Sequence, residues 1–370
     1  MRPIKNYQKL CALAVVLFLT ALLCACGEGE IFKMSQDASA AGNTVKSTAS
    51  APTGTIKPSG TAAVTPTAKN VTPVSTLLPG TATAQATAPI APTATPYPAP
   101  ALKLPFVGDP VVMDFKGQGQ IVKRQFYSPD LQKNVGYEIY LPKEYATSGA
   151  KRYPVLYMLH GVSGQIDEWN WYGLMARADE LISNGQIRPF LIVLPEGDQA
   201  YWVDHPDNGP KWGDYTAHEV VDHIDGNYRT IPLPASRAVG GLSMGSTGAL
   251  QLAMNYPGIF GVLGAHSPAM RTYAQKVPWW GDENWFDHMD PVTLAKTSAG
   301  DALKNMKVWI DVGASDSAWK SRVLELKQVL QDRNIPFTYT EWPGDHNAEY
   351  WTAHVVDYLT WYNSVLSFGP

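Results

Sequence analysis

The pentapeptide Gly241-Leu242-Ser243-Met244-Gly245 constrains this chain most. Before it lies a short β-compatible stretch, Ser236 to Gly240, and after it Thr247 to Tyr256, rich in Ala, Leu, Gln and Met and ended by Pro257. That is strand, sharp turn and helix. In such a turn the serine takes a strained backbone, and the flanking glycines let strand and helix approach while Oγ stays reachable. Glycine and serine are common enough that about one chain in ten of this length carries G-x-S-x-G by chance. The surrounding pattern must decide.

From Pro105 onward that pattern is one of alternating strands and helices. Gln120 to Tyr127 and Gly136 to Leu141 alternate as an antiparallel pair around the turn-prone Ser128-Pro129-Asp130. Tyr153 to His160 and Phe190 to Leu194 are continuous apolar runs, as suits central parallel strands covered on both faces. Helical spacing follows over Met175 to Gly185 and over Ala217 to Tyr228. After the pentapeptide helix, Ile259 to Ala265 reads as a strand. Regular order then stops until strand Val308 to Val312, helix Trp319 to Arg333, strand Phe337 to Trp342 and a last helix from Glu349 to about Leu366. The interval Ser267 to Gly300 contains Trp279, Trp280, Trp285 and Phe286 without a period. An aromatic-rich excursion of that length after a strand end is expected either to form a pocket wall or to fold onto the body.

The first hundred residues are of another kind. Arg2, Lys5 and Lys9 precede an apolar run, Leu10 to Leu23, too short for a comfortable membrane span, which is the layout of an export signal. Leu23-Cys24-Ala25-Cys26-Gly27 resembles the lipobox of bacterial lipoproteins, and by that resemblance Cys26 becomes the diacylated N-terminus. All three cysteines lie in this segment, so the exported part carries no disulfide. From Ser35 to about Leu104 the chain is dominated by Thr, Ala, Pro, Ser and Gly, cannot bury a core and is expected to be a disordered tether. Some 70 such residues span about 50 Å as a coil. The expected organisation is thus a signal peptide at 1–25, a tether at 26–104 and one globular domain at 105–370, lipid-anchored on the outer face of the bacterial cytoplasmic membrane or on the periplasmic, outer-membrane side. Residues 1–104 hold eight of the 29 Lys/Arg and three of the 33 Asp/Glu, which leaves the remainder at net −9. Such a domain is a poor partner for nucleic acid or an anionic bilayer, so the only membrane contact expected is the anchor. No oligomeric state can be read from these features.

A serine hydroxyl that attacks needs a base, a group that orients the base, and donors for the oxyanion. In α/β-hydrolases, which this strand-turn-helix pattern resembles, the order along the chain is Ser, acid, His. Asp316 follows strand Val308 to Val312 in Gly313-Ala314-Ser315-Asp316, and His346 follows strand Phe337 to Trp342 in Pro343-Gly344-Asp345-His346. Both stand at carboxyl ends of strands, where parallel sheets build their sites. Asp311 is the rival acid, but it falls within a strand. His266 and His354 are rival bases; the first precedes the acid in order and the second lies in a helix. The oxyanion donors are expected at the backbone N–H of Met244 and, after the strand ending in His160-Gly161, of Val162. His218-Glu219-Val220-Val221-Asp222-His223 is one residue too long for a zinc-binding H-E-x-x-H, since i and i+5 lie about 140° apart on a helix. His205 with Asp204 and Asp207 reads as a solvated loop. Neither a metal nor a cofactor is expected.

His160-Gly161, Glu168-Trp169, Tyr228-Arg229-Thr230, Ser236 through Gly245, Gly313 to Asp316 and Gly344-Asp345-His346 together resemble the esterase D family. That family includes S-formylglutathione hydrolases, feruloyl and acetyl-xylan esterases and the antigen 85 mycolyltransferases. The resemblance covers roughly residues 115–365. It implies an α/β-hydrolase fold, a mostly parallel central sheet with helices on both faces, with Ser243 as nucleophile, His346 as base, Asp316 as orienter and backbone donors at Val162 and Met244. After Gly245, where family members often carry another glycine, this chain has Ser246. The expected activity is carboxylic-ester hydrolysis through an acyl-enzyme, on small-molecule esters or on acyl or feruloyl esters of polysaccharides, with Trp202, Trp212, Trp279 and Trp280 as candidate stacking surfaces. Two other readings remain: acyl transfer to a cell-envelope acceptor, and a non-catalytic surface binding protein on the same scaffold.

Overall fold

The structure is a computed structural model that describes residues 101–162 and 164–369. The export segment, Cys26 and most of the expected tether lie outside the described residues. Nine strands form one sheet: β1 (Phe106–Val112), β2 (Gln120–Ser128), β3 (Lys133–Leu141), β4 (Val155–Leu159), β5 (Leu191–Pro195), β6 (Arg237–Ser243), β7 (Val262–Pro268), β8 (Lys307–Gly313) and β9 (Thr338–Trp342). Their spatial order is β1-β2-β3-β5-β4-β6-β7-β8-β9. The first three pair antiparallel, as does β3 with β5; every later pair is parallel.

Side-chain alternation explains why the central runs are apolar throughout. Val155, Tyr157 and Leu159 of β4 face one core, while Leu156 and Met158 face the other. β5 divides likewise, with Leu191 and Val193 on one side and Ile192 and Leu194 on the opposite one. A strand covered on both faces has no polar face to alternate. The helices are α1 (Glu168–Trp171), α2 (Leu174–Ser183), α3 (Val221–Asn227), α4 (Met244–Asn255), α5 (Glu283–Asp287), α6 (Pro291–Lys296), α7 (Lys320–Asp332) and α8 (Ala348–Val365). Helices α3, α4, α6 and α7 cover the first face with Ile224, Leu250, Val292 and Leu326; α2 and α8 cover the second with Leu174, Ala178, Val355 and Leu359. The α/β-hydrolase architecture is therefore present.

Three features depart from the sequence pattern. Strand β1 is an unexpected edge strand. Its residues are mostly exposed and it contains Pro110, a combination confined to sheet edges and invisible to a hydrophobic alternation test. The expected helix at 217–228 opens with a π-helical stretch, Tyr215–Val220, before α3. Its buried Glu219 accepts hydrogen bonds from the Ser128 hydroxyl and, at 2.9 Å, from the Asp130 backbone N–H, so the β2–β3 turn is tied to the widened helix. Finally, Leu102 and Leu104, expected in the tether, are bonded to the domain: the Leu102 N–H to Asp222 at 2.9 Å and the Leu104 carbonyl to His223 Nδ1 at 2.6 Å. Ordered structure thus begins before residue 105.

His223 also stacks on Phe126 at 4.4 Å between centroids, and its Nε2 accepts from the Tyr137 hydroxyl at 2.9 Å. Burial pushes its pKa down to about 4, helped by the nearby Arg124 charge and opposed by the Leu104 carbonyl. The unfolded chain takes up this proton near pH 6.5 and the folded one only near 4, so the associated stability is complete above 6.5 and is lost as pH falls through that window. The loss amounts to roughly 3 kcal/mol at full extent. Urea midpoints should therefore drop steadily between pH 7 and 4.5, and His223→Phe should flatten that limb.

Candidate active site

The strand-to-helix turn is as tight as the glycines suggest. Ser243 has φ 53° and ψ −118°, a region an L-residue enters only when its surroundings hold it there. A Cβ on Gly245 would lie 2.3 Å from the Leu159 carbonyl oxygen, and one on Gly241 would lie 2.4 Å from the Gly245 carbonyl carbon. Both positions need the missing side chain. Within the pentapeptide only Ser243 retains intermediate exposure; its neighbours are buried. Ser246, the departure noted above, is fully buried, and its hydroxyl has no hydrogen-bond partner among the described residues.

Ser243, His346 and Asp316 come together. His346 Nε2 is 2.8 Å from Ser243 Oγ, and His346 Nδ1 is 3.1 Å from Asp316 Oδ2. The loops that carry the acid and the histidine are sewn to each other: the Ala314 N–H donates to the Trp342 carbonyl at 2.7 Å and the Ser315 N–H to the Gly344 carbonyl at 2.8 Å. Asp316 Oδ1 accepts the Trp319 N–H at 2.9 Å, and Asn347 caps α8 directly after the histidine by accepting the Tyr350 N–H at 3.0 Å. Burial alone raises the Asp316 pKa, but hydrogen bonds from His346, the Trp319 N–H and Ser267 outweigh it and hold the carboxyl below its ordinary value. It therefore stays ionised at neutral pH.

The rival groups are occupied elsewhere. His266 and Asp311 are fully buried and bonded to each other, Nδ1 to Oδ2 at 2.6 Å. The Tyr350 hydroxyl donates to Asp311 Oδ1 at 2.8 Å, the Tyr358 hydroxyl at 3.3 Å, and the Tyr362 hydroxyl lies 2.9 Å from His266 Nε2. His354 stacks on Trp342 at 3.8 Å between centroids and pairs with Asp357. His218 and His223 part company, the first against Tyr256 and the second against Phe126. His205 stacks on Trp279 at 3.6 Å, while Asp204 caps the helical turn at Trp212–Asp214 by accepting the Gly213 and Asp214 N–H groups.

The loop after β4 lies against the serine. A Cβ on Gly161 would stand 3.5 Å from Ser243 Cβ, and Val162 follows, partly exposed, while Met244 opens α4, whose first N–H groups have no partner within the helix. This loop is held by buried Glu168, which accepts the Gly161 N–H at 2.6 Å and the Tyr172 hydroxyl at 3.1 Å. His160 buttresses it from beneath. Its Nε2 accepts the Gly197 N–H at 3.0 Å and its Nδ1 donates to the Gly161 carbonyl at 2.9 Å; burial lowers its pKa and favours this neutral tautomer.

Two of the four candidate tryptophans are not stacking surfaces. Trp202 is fully buried, wedged between Gly197 and Gly248 with its indole N–H donating to the His160 carbonyl at 3.3 Å. Only 3% of Trp212 is exposed. The signal was aromatic content, which does not separate a wall from a core. Trp280 sits in the excursion with Trp285 and Phe286, closing a crevice against Thr247, Gln251 and Met270 of about 10 Å³, enough for one water. This part of the excursion folds onto the body. Trp279 lines a groove of about 480 Å³ shared with Lys133, Asp198, His205 and Trp212. The structure also adds a residue that sequence reasoning missed: Ser267 Oγ lies 3.2 Å from Asp316 Oδ2 and 3.0 Å from His346 Nδ1.

Gly245→Ala should be destabilising by more than about 2 kcal/mol, the usual scale for forcing a side chain into backbone, read as a lowered urea midpoint with an unchanged m-value.

Residues 128–362 match the family model described as "Putative esterase". An esterase of Mycobacterium tuberculosis is 30% identical over 254 residues, 60% of this chain and 54% of that protein, so the chain spans about half the length of this curated relative. Among solved structures, a ferulic acid esterase superposes with a TM-score of 0.61 at 24% identity, over 67% of this chain and 98% of the other. An S-formylglutathione hydrolase from Agrobacterium tumefaciens gives 0.60 at 18% identity, over 70% and 100%. These structural likenesses establish the fold, and the match over most of the globular region places this chain in the putative esterase family.

Proposed function

We propose that the chain is a serine carboxylic-ester hydrolase that works through an acyl-enzyme. The observation that carries this reading is the unbroken hydrogen-bonded line from Ser243 Oγ through His346 to Asp316, with the serine on a strained turn. In the ground state His346 Nδ1 keeps its proton, held by Asp316, and Nε2 is free to accept. As Ser243 Oγ attacks an ester carbonyl, its proton passes to Nε2 and the carbonyl electrons collect on oxygen. The N–H groups of Met244 and Val162 receive that oxyanion. Collapse expels the alkoxide, protonated by His346, and a water repeats the sequence on the acyl-enzyme to release the acid and restore Ser243. Asp316 stays ionised throughout and stabilises the imidazolium.

For the substrate, we infer acyl or aromatic-acid esters carried on polysaccharides. Trp279, backed by His205 and open to the groove, offers an indole face of the kind that stacks on sugars and aromatic acids. A domain on a tether anchored at Cys26 suits an insoluble or envelope-borne substrate.

A fluorophosphonate probe should label the wild-type chain, and Ser243→Ala should abolish both labelling and turnover of p-nitrophenyl acetate, a drop of roughly 10⁴-fold or more. A folded wild-type domain that neither labels nor turns over would sink the hydrolase reading. Assays with an added sugar acceptor distinguish hydrolysis from transfer through the ratio of free acid to acylated sugar. For the anchor, Cys26→Ser should move the protein from the membrane fraction to the soluble fraction, with loss of metabolic labelling by an alkynyl fatty acid.

A further inference from the structure

Ser267 stands where the register of the parallel sheet breaks. Leu242 pairs with His266 and Ser243 with Pro268, so Ser267 is an extra, unpaired residue at the end of β7. It has φ 51°, a left-handed backbone that costs a non-glycine residue on the order of 1 kcal/mol. A bulge beside a site commonly re-aims one side chain. Here the hydroxyl is turned, fully buried, between Asp316 Oδ2 at 3.2 Å and His346 Nδ1 at 3.0 Å. Two residues on, the Ala269 N–H donates to the Ser243 carbonyl at 3.1 Å.

Proton placement in this cluster has one consistent solution. For Nε2 to accept from Ser243, it must be bare, so the imidazole proton sits on Nδ1. That N–H is shared between Asp316 Oδ2 and Ser267 Oγ. The hydroxyl proton of Ser267 is then left with Asp316 Oδ2 as its acceptor. The three groups close a ring in which the hydroxyl both accepts and donates. Asp316 is held at both oxygens, by Trp319 N–H at Oδ1 and by Ser267 at Oδ2, and cannot rotate away from the histidine.

We propose that Ser267 is a positioning residue for the Asp316–His346 pair, its hydroxyl fixing the Nδ1–H tautomer and supplying a second oxygen to the imidazolium formed when Ser243 gives up its proton. This deepens the hydrolase reading and rests on it. Charged groups near the pair include Asp345, whose Oδ1 accepts the His346 backbone N–H at 2.7 Å, and Lys320, whose backbone N–H donates to the Asp316 carbonyl at 3.3 Å and whose Nζ donates to the Ala314 carbonyl at 3.1 Å; Arg271 lies beyond, 5.5 Å from the Trp319 ring. Replacing an uncharged serine changes the charge of none of them.

The test uses the full chain with Ser267→Ala and Ser267→Gly. Glycine takes φ 51° without strain, so Ser267→Gly should melt above Ser267→Ala, and the two together separate loss of the hydroxyl from backbone strain. Both variants should lose about tenfold in kcat on p-nitrophenyl acetate while KM stays within about twofold. The downfield proton resonance of the His346 Nδ1–H should shift in both variants, because one of its two acceptors is gone. A Ser267→Gly variant with wild-type kcat, or one that loses kcat with an unmoved Nδ1–H resonance, overturns the proposal while leaving Ser243 in place. A wild-type chain that neither labels with fluorophosphonate nor turns over removes the hydrolase reading and this one with it.

Discussion

The close backbone contact between the turn after β6 and the end of β4 is the constraint on which the rest of the structure depends. Gly245 lies so near the Leu159 and His160 carbonyls that no side chain fits between them, and this contact forces Ser243 into its left-handed conformation. One residue converts a buried strand into a buried helix. The serine is the point at which that reversal meets solvent. Because β4 and β6 are neighbours, the loop following β4 is brought against the serine by the same contact, and the Gly161 backbone ends near Ser243 Cβ.

The opposite side of the serine is set by a buried polar network. Asp311 on β8 takes hydrogen bonds from His266 on β7 and from Tyr350 and Tyr358 on α8, and Tyr362 reaches the other nitrogen of His266. A buried carboxylate with that many donors is expensive to disturb, since each lost partner leaves an unsatisfied group in the core. The network therefore fixes the start of α8 relative to β7 and β8. His346 lies immediately before that helix, and Asp316 lies just beyond β8. Two His–Asp pairs thus lie close together, His266–Asp311 on β7 and β8 and His346–Asp316 on the loops that follow β9 and β8. The buried one locks the frame, and the other faces the serine.

Helix and strand order was legible because β4 and β5 are unbroken apolar runs buried on both faces, and because Gly and Pro punctuate the joins. Edge strand β1 was not, since an exposed strand containing Pro110 has no hydrophobic period to detect. The π-helical stretch was hidden as well: its apolar residues continue the spacing of an ordinary helix, and what widens it is burial of Glu219 against the β2–β3 turn. The tryptophans show the limit of composition. Trp202 and Trp279 look alike as sequence signals, yet one fills a slot between glycines and the other lines a groove.

By itself the sequence determined that one globular α/β domain follows a low-complexity segment, that a serine sits on a strand-to-helix turn, and that an acid and a histidine follow at later strand ends. Those features are local, carried by periodicity and turn chemistry over a few residues. Tertiary structure alone decided that Ser267 joins Ser243, His346 and Asp316, and that Trp202 is buried while Trp279 lines a groove. Ser243 and His346 are 103 residues apart in the chain, and Ser267 and Asp316 are 49 apart. Contacts at such separations depend on strand register and on one bulge at the end of β7, a backbone irregularity with no signature in the residues that make it.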